Sequence, residues 1–222
     1  MNKYLSTIPY LLCFSIYSQF IYSPTAHSYE ETWGTLALRS SINDEQQVMG
    51  EWRRRDSENQ VLAGDGSDLF RLSLNTKFEG FSYLAGLTYA DYETNASHEV
   101  RLHQFLSFKL LENELALFGA RIGTEHRDFS SDNTIYHRAR MKLQLNPLPQ
   151  YRFGASLYNE AFFALNGGNR FATGFNENRT GFGARWTFKA FEIYAYHTLT
   201  YLKSPRGKAH QEWLQFQLVF NL

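Results

Sequence analysis

The sequence predicts an all-β fold, an antiparallel transmembrane β-barrel of about ten to twelve strands with twelve preferred, and three observations predict it. Beyond about Trp33 the chain divides into segments in which apolar and polar residues alternate. That is the period of a strand, whose successive side chains point to opposite faces. The connections between segments alternate long and short, the rhythm of a barrel with short turns on one side of a membrane and longer loops on the other. The last segment, Trp213 to Leu222, carries an apolar stripe that continues to the carboxyl end.

The amino terminus sets the compartment. Lys3 supplies a positive start, Ile8 to Tyr22 is mostly apolar but broken by Pro9, Ser15, Ser18 and Gln19, and Ala26-His27-Ser28 resembles a cleavage site. Residues 1–28 are therefore expected to be a signal peptide cut after Ser28, leaving 29–222 as a barrel in the bacterial outer membrane. An uncleaved anchor is the alternative, and the polar interruptions argue against it. Cys13, the one cysteine, lies in this segment, so the mature chain is expected to have no disulfide or thiol chemistry. Lys+Arg 22 balance Asp+Glu 22, so no net field attracts nucleic acid. No uninterrupted apolar run in the mature part reaches the roughly 18 residues that a spanning helix needs, yet aromatics make up 17% of the chain.

Taken in order, the segments begin at Trp33 and are separated by Asp56–Ser67 (long), Asn75–Gly80 (short), Asp91–His98 (long), Leu111–Asn113 (short) and Asp128–Asn133 (long). Asn146–Gln150 (short), Leu165–Gly174 (long), Lys189–Ala190 (short) and Lys203–His210 (long) follow. Within them Phe70, Leu72 and Leu74 alternate with Arg71, Ser73 and Asn75, and Ala139, Met141, Leu143 and Leu145 with Arg138, Arg140, Lys142 and Gln144. Phe182, Ala184, Trp186 and Phe188 alternate with Gly181, Gly183, Arg185 and Thr187. The segmentation gives eleven strands, whereas bacterial single-chain barrels usually have an even number. Twelve is preferred on that ground.

In the terminal strand Leu214, Phe216, Leu218, Phe220 and Leu222 share one face. Such a strand is the expected signal for barrel-assembly machinery, although this one ends in Leu rather than Phe. The stripe is expected to meet outer-membrane lipid.

The opposite face, assigned to the lumen, is rich in arginine. Arg121, Arg138, Arg140, Arg152, Arg179 and Arg185 fall there with Glu125, Glu160 and Glu177, joined by Arg53, Arg55, Arg71, Arg101, Lys109, Lys142, Glu51 and Glu192. Long charged side chains in a narrow lumen need partners. One reading is a network of ion pairs bracing the wall; the other is a basic constriction that selects anions. Catalysis is not expected. His103 and Ser107 share the lumenal phase but stand four residues apart, about 13 Å by the strand rise, and no metal-ligand cluster, Gly-x-Ser-x-Gly elbow or phosphate loop is present in the sequence. No cofactor is implied, and any solute is unidentified. Two rival functions remain: an outer-membrane lipid hydrolase and an exported soluble β-sandwich binding module.

Tyr158-Asn159-Glu160-Ala161-Phe162-Phe163, then Asn169-Arg170, then Asn176-Glu177-Asn178-Arg179-Thr180-Gly181-Phe182-Gly183 resembles the bacterial outer-membrane proteins grouped as domain of unknown function 2490. Glu125-His126-Arg127, Arg138-Ala139-Arg140 and Trp33 fit the same pattern. The resemblance implies an outer-membrane barrel with no established activity. On the residues alone, Glu160 and Arg179 share the lumenal phase of consecutive strands and are expected to pair, while Gly181 and Gly183 leave room for a large neighbour.

Overall fold

Alternation over almost all of the sequence beyond Trp33 leaves no element except strands. In the computed structural model, which describes residues 30–57, 66–92, 97–131, 133–168, 173–204 and 207–222, every regular element is a strand. They are β1 (Glu30–Ser41), β2 (Gln46–Ser57), β3 (Ser67–Lys77), β4 (Phe81–Tyr92), β5 (Ser97–Glu112) and β6 (Ala116–Phe129). Then follow β7 (Tyr136–Pro147), β8 (Phe153–Ala164), β9 (Gly174–Thr187), β10 (Phe191–Ser204) and β11 (Gly207–Asn221). The expected signal peptide lies outside the described residues.

Each strand pairs with its neighbour in sequence, and β1 closes the barrel against β11. The count is eleven, not the preferred twelve, and the reason is geometric. In an up-and-down barrel an odd number sends the first and last strands the same way. The β1–β11 seam is accordingly parallel, from Glu30↔Glu212 to Arg39↔Asn221, while every other pair is antiparallel. The barrel is thus mixed rather than purely antiparallel, and no strand edge is left open.

The turns at 42–45, 78–80, 113–115, 148–152 and 188–190 gather at one end with the carboxyl terminus. Two of them are fastened the same way. Asn43 Oδ1 accepts from the backbone N–H of Glu45 (3.0 Å) and Gln46 (2.8 Å), and Asn113 Oδ1 from Leu115 (2.9 Å) and Ala116 (2.8 Å), the local bonding for which asparagine is favoured in turns. At the other end the strands run further than the sequence predicts. Tyr92 pairs with Ser97 and Ser204 with Gly207, which shrinks the Asp91–His98 and Lys203–His210 loops to 93–96 and 205–206. Polar side chains do not stop a ladder held by backbone hydrogen bonds.

The two faces are inverted relative to a soluble protein. Outside, Phe70, Leu72, Phe182 and Phe216 are 53%, 61%, 52% and 53% exposed, and inside, Glu99, Glu125, Glu160 and Glu177 are buried. The Leu214–Phe216–Leu218–Phe220 stripe lies outward, as expected, beside Gln215, Gln217 and the fully buried Val219 on the inner face. One outward patch on β8 and β9 breaks the apolar pattern: Asn159 Nδ2 donates to Asn178 Oδ1 (3.0 Å) and Thr180 Oγ1 (2.9 Å), so the amides satisfy one another.

Candidate functional site: the charged lumen

Inward arginines and glutamates on β5 to β9 meet because antiparallel register sets same-phase residues of neighbouring strands opposite each other. Glu125 stands across from Arg138, and Lys142 across from Glu160. From this grid an alternating chain forms. Arg140 donates from Nε to Glu160 Oε1 (2.6 Å) and from Nη1 to Glu125 Oε1 (2.9 Å). Arg138 takes the other Glu125 oxygen from Nε (3.0 Å) and reaches Glu177 Oε2 from Nη1 (2.9 Å). Arg179 then closes on Glu177 Oε1.

A second cluster sits nearer the loop end. Glu99, which is fully buried, receives paired N–H groups from both Arg101 (2.9 and 3.1 Å) and Arg127 (2.5 and 2.9 Å), and the Tyr92 hydroxyl at 2.6 Å. Forked guanidinium–carboxylate contacts of this kind are the strongest and most directional available to side chains. On the opposite wall Glu51 holds Arg53 (3.0 Å) and Arg71 (3.4 Å). Buried charges are tolerated only when paired and hydrogen-bonded, and these carboxylates meet that condition.

Aromatic rings fill the spaces between the ions. Phe162, wholly buried, has the guanidinium carbons of Arg138, Arg179 and Arg140 at 4.2, 4.7 and 5.2 Å from its centroid. Trp33 of β1 and Trp213 of β11 stack across the parallel seam with centroids 4.4 Å apart. Arg53 and Arg55 approach Trp33 at 5.1 and 5.5 Å, and Arg179 approaches Trp213 at 4.6 Å. Cations over ring faces gain electrostatic attraction that grows as water is excluded. The glycines work as the sequence suggests: a methyl at Gly181 would overlap the Tyr158 ring, and one at Gly183 the Tyr196 ring.

The structure brings Arg138, Arg140, Arg179, Glu125, Glu160 and Glu177 together, and it redistributes the rest. Glu160 and Arg179 are cross-strand neighbours as expected, but Glu160 pairs with Arg140 and Arg179 with Glu177. Arg140 reaches Glu160 on the diagonal across β7 and β8, and Glu177 stands two residues before Arg179 on β9 itself. Arg121 bonds Ser107 Oγ at 2.9 Å, and Arg185 donates to the Pro149 carbonyl at 2.8 Å near the short turns. Arg152 is not lumenal: β8 begins only at Phe153, which leaves Arg152 exposed in the preceding turn. Lys109 likewise sits at the short-turn mouth, 68% exposed and paired with Glu112 at 2.8 Å, beside a register shift in β5.

Sequence reasoning missed Glu99 and Arg127, although Glu99 stands two residues from Arg101 in the same phase. It missed the Trp33–Trp213 stack because nothing in the sequence places the first strand beside the last. His103, in the lumenal phase as read, is 2% exposed with both ring nitrogens lacking a hydrogen bond.

A closed all-β barrel with a charged, ring-packed interior is the class of protein that this fold and lumen define. Within it, the chain belongs to the family described as Protein of unknown function (DUF2490), whose model matches residues 30–211. No curated protein matches. Among solved structures the chain is similar to one titled "Bacterial polysaccharide outer membrane secretin", with a TM-score of 0.51 and 10% identity over 77% of this chain and 62% of that one. The chain therefore spans less than two thirds of that protein, and the likeness is one of fold.

Proposed function

We propose that the chain is a non-enzymatic barrel of the bacterial outer membrane, exported by its amino-terminal signal peptide, whose lumen is braced by the arginine–glutamate lattice. The observation that carries the reading is the exterior. An apolar band runs between aromatic clusters at both ends: Phe78–Phe81, Phe153–Trp186 and Phe188–Phe191 at the short-turn end, and Phe163–Phe175 with Tyr201 at the loop end. Aromatic girdles around an apolar belt suit the two interfaces of a bilayer. The partners are then outer-membrane lipid and, during biogenesis, barrel-assembly machinery reading the β11 stripe.

Three of the histidines have partners other than serine. His126 and His137 face each other outside, Nδ1 to Nδ1 at 2.6 Å, and His197 lies 3.5 Å from Glu212. A general base for a lipid hydrolase needs instead a serine within hydrogen-bond reach.

Heat-modifiable migration of the refolded chain on a gel, with co-sedimentation on lipid vesicles, tests the proposal. Folded and boiled samples should migrate differently, and the folded form should float with lipid. A chain that stays soluble and monomeric without detergent would refute it. A second reading, a narrow path for small anions, is favoured by lumenal Arg and Lys outnumbering Glu. Planar-bilayer recording should then show a small conductance with anion preference, and none at all would leave the bracing role alone.

A further inference from the structure

Two lumenal cations stand outside the ion pairs of the lattice. Arg121 of β6 and Lys142 of β7 are direct cross-strand partners on the inner face, where like charges opposite each other destabilise a sheet. Arg121 has Ser107 Oγ at 2.9 Å and the Phe105 ring at 5.8 Å. Lys142 Nζ lies 4.4 Å from the Tyr158 ring centroid. Among the described residues neither forms an ion pair. Glu160, opposite Lys142 on its other side, gives Oε1 to Arg140 at 2.6 Å.

More positive charge bears on the same spot. The Arg140 guanidinium lies 5.1 Å from the same Phe105 ring centroid; Lys142 feels Arg121, Arg140 and Arg53 against the one carboxylate Glu160, and Arg121 feels Arg140 and Arg71 against Glu160 and Glu51. The location is also reachable. Along β7, Lys142 follows Arg138 and Arg140 toward Pro147, and along β6 Arg121 precedes Glu125, so both lie on the short-turn side of the Arg138–Glu125 pair. Both are only half-buried, and Gly119 leaves the inner face bare one step further out.

We propose that Arg121 and Lys142 form a binding site for a small multivalent oxyanion of the phosphate class. Arg121 uses Nε on Ser107 and keeps its Nη donors, the Lys142 ammonium stands across from it on the neighbouring strand, and the Ser107 hydroxyl, which accepts from Arg121, still has its own proton to donate. Oxyanions, with several acceptor oxygens, match this donor set better than chloride does. The site deepens the anion-path reading and rests on the outer-membrane assignment for its route of access, from the periplasmic mouth.

The test is thermal unfolding of the refolded full chain in detergent, titrated with pyrophosphate and, at equal ionic strength, with chloride. Pyrophosphate should raise the midpoint of the parent chain and chloride should not. Lys142→Gln and Arg121→Gln should each weaken the apparent affinity about tenfold or more, yet hold or raise the midpoint without anion, because each relieves the repulsion. Lys142→Arg, which keeps charge and donors, should keep the shift. The site is refuted by no shift in the parent chain, or by Lys142→Gln lowering the anion-free midpoint while the pyrophosphate shift persists. Should neither glutamine variant fold, phosphorus NMR line broadening of pyrophosphate by the parent chain and by Lys142→Arg decides the matter, absence of broadening refuting it. A chain that inserts into vesicles without a shift loses only this site, and one that shifts without inserting loses only the membrane assignment.

Discussion

Glu125 is the residue on which the lumenal lattice turns. Its two oxygens are divided between Arg138 and Arg140, and with 1% exposure it has no water to fall back on. Glu125→Ala leaves two buried guanidinium groups short of a partner, a loss of about 3–5 kcal/mol. Urea unfolding of the lipid-reconstituted chain measures it, and a change under about 1 kcal/mol would mean that water or a neighbouring carboxylate replaces Glu125 without strain. Individual residues of the lattice were legible in the sequence as charges recurring at period two. Their pairing was not, because register fixes who stands opposite whom while a long side chain can also reach a diagonal neighbour, as Arg140 does with Glu160, or one on its own strand, as Arg179 does with Glu177.

At the scale of elements, the parallel β1–β11 seam is the distinctive joint. Evenly spaced, slanted parallel bonds are slightly weaker per residue than antiparallel ones, and here the Trp33–Trp213 stack reinforces them from within. Trp213→Ala should cost about 3–5 kcal/mol and shift the folded band on a gel toward the unfolded one at lower temperature, whereas Trp213→Phe should retain most of the stability. The outward and inward faces of β11 give a second contrast. On the proposed membrane assignment, Phe216→Arg puts a charge against lipid at a cost of about 2–4 kcal/mol toward the membrane middle. Gln217→Arg, one residue on and facing the lumen, should fold nearly as well as the parent. Equal folding yields for the two in vesicles would show that the outward face does not meet lipid.

For the whole molecule, the direction of β11 sets the topology. If its carboxyl end is periplasmic, the 113–115 turn is periplasmic and the 130–135 loop is outside the cell. A cysteine at Asn133 should react with a membrane-impermeant maleimide on intact cells, and one at Asn113 only after the outer membrane is opened. The parallel seam adds that β1, like β11, starts at the loop end of the barrel and finishes at the short-turn end.

The sequence by itself determined the class of fold, which face of most strands turns inward, the outward stripe of the last strand and four of the five short turns, because period-two alternation and turn chemistry are local properties of the chain. Only the tertiary structure decided the strand count, the parallel closure, the Trp33–Trp213 stack and the pairing within the lattice. Those depend on residues far apart in sequence meeting around a closed circumference, where the geometry of closure and the cost of an unpaired buried charge choose among arrangements that alternation alone leaves equal.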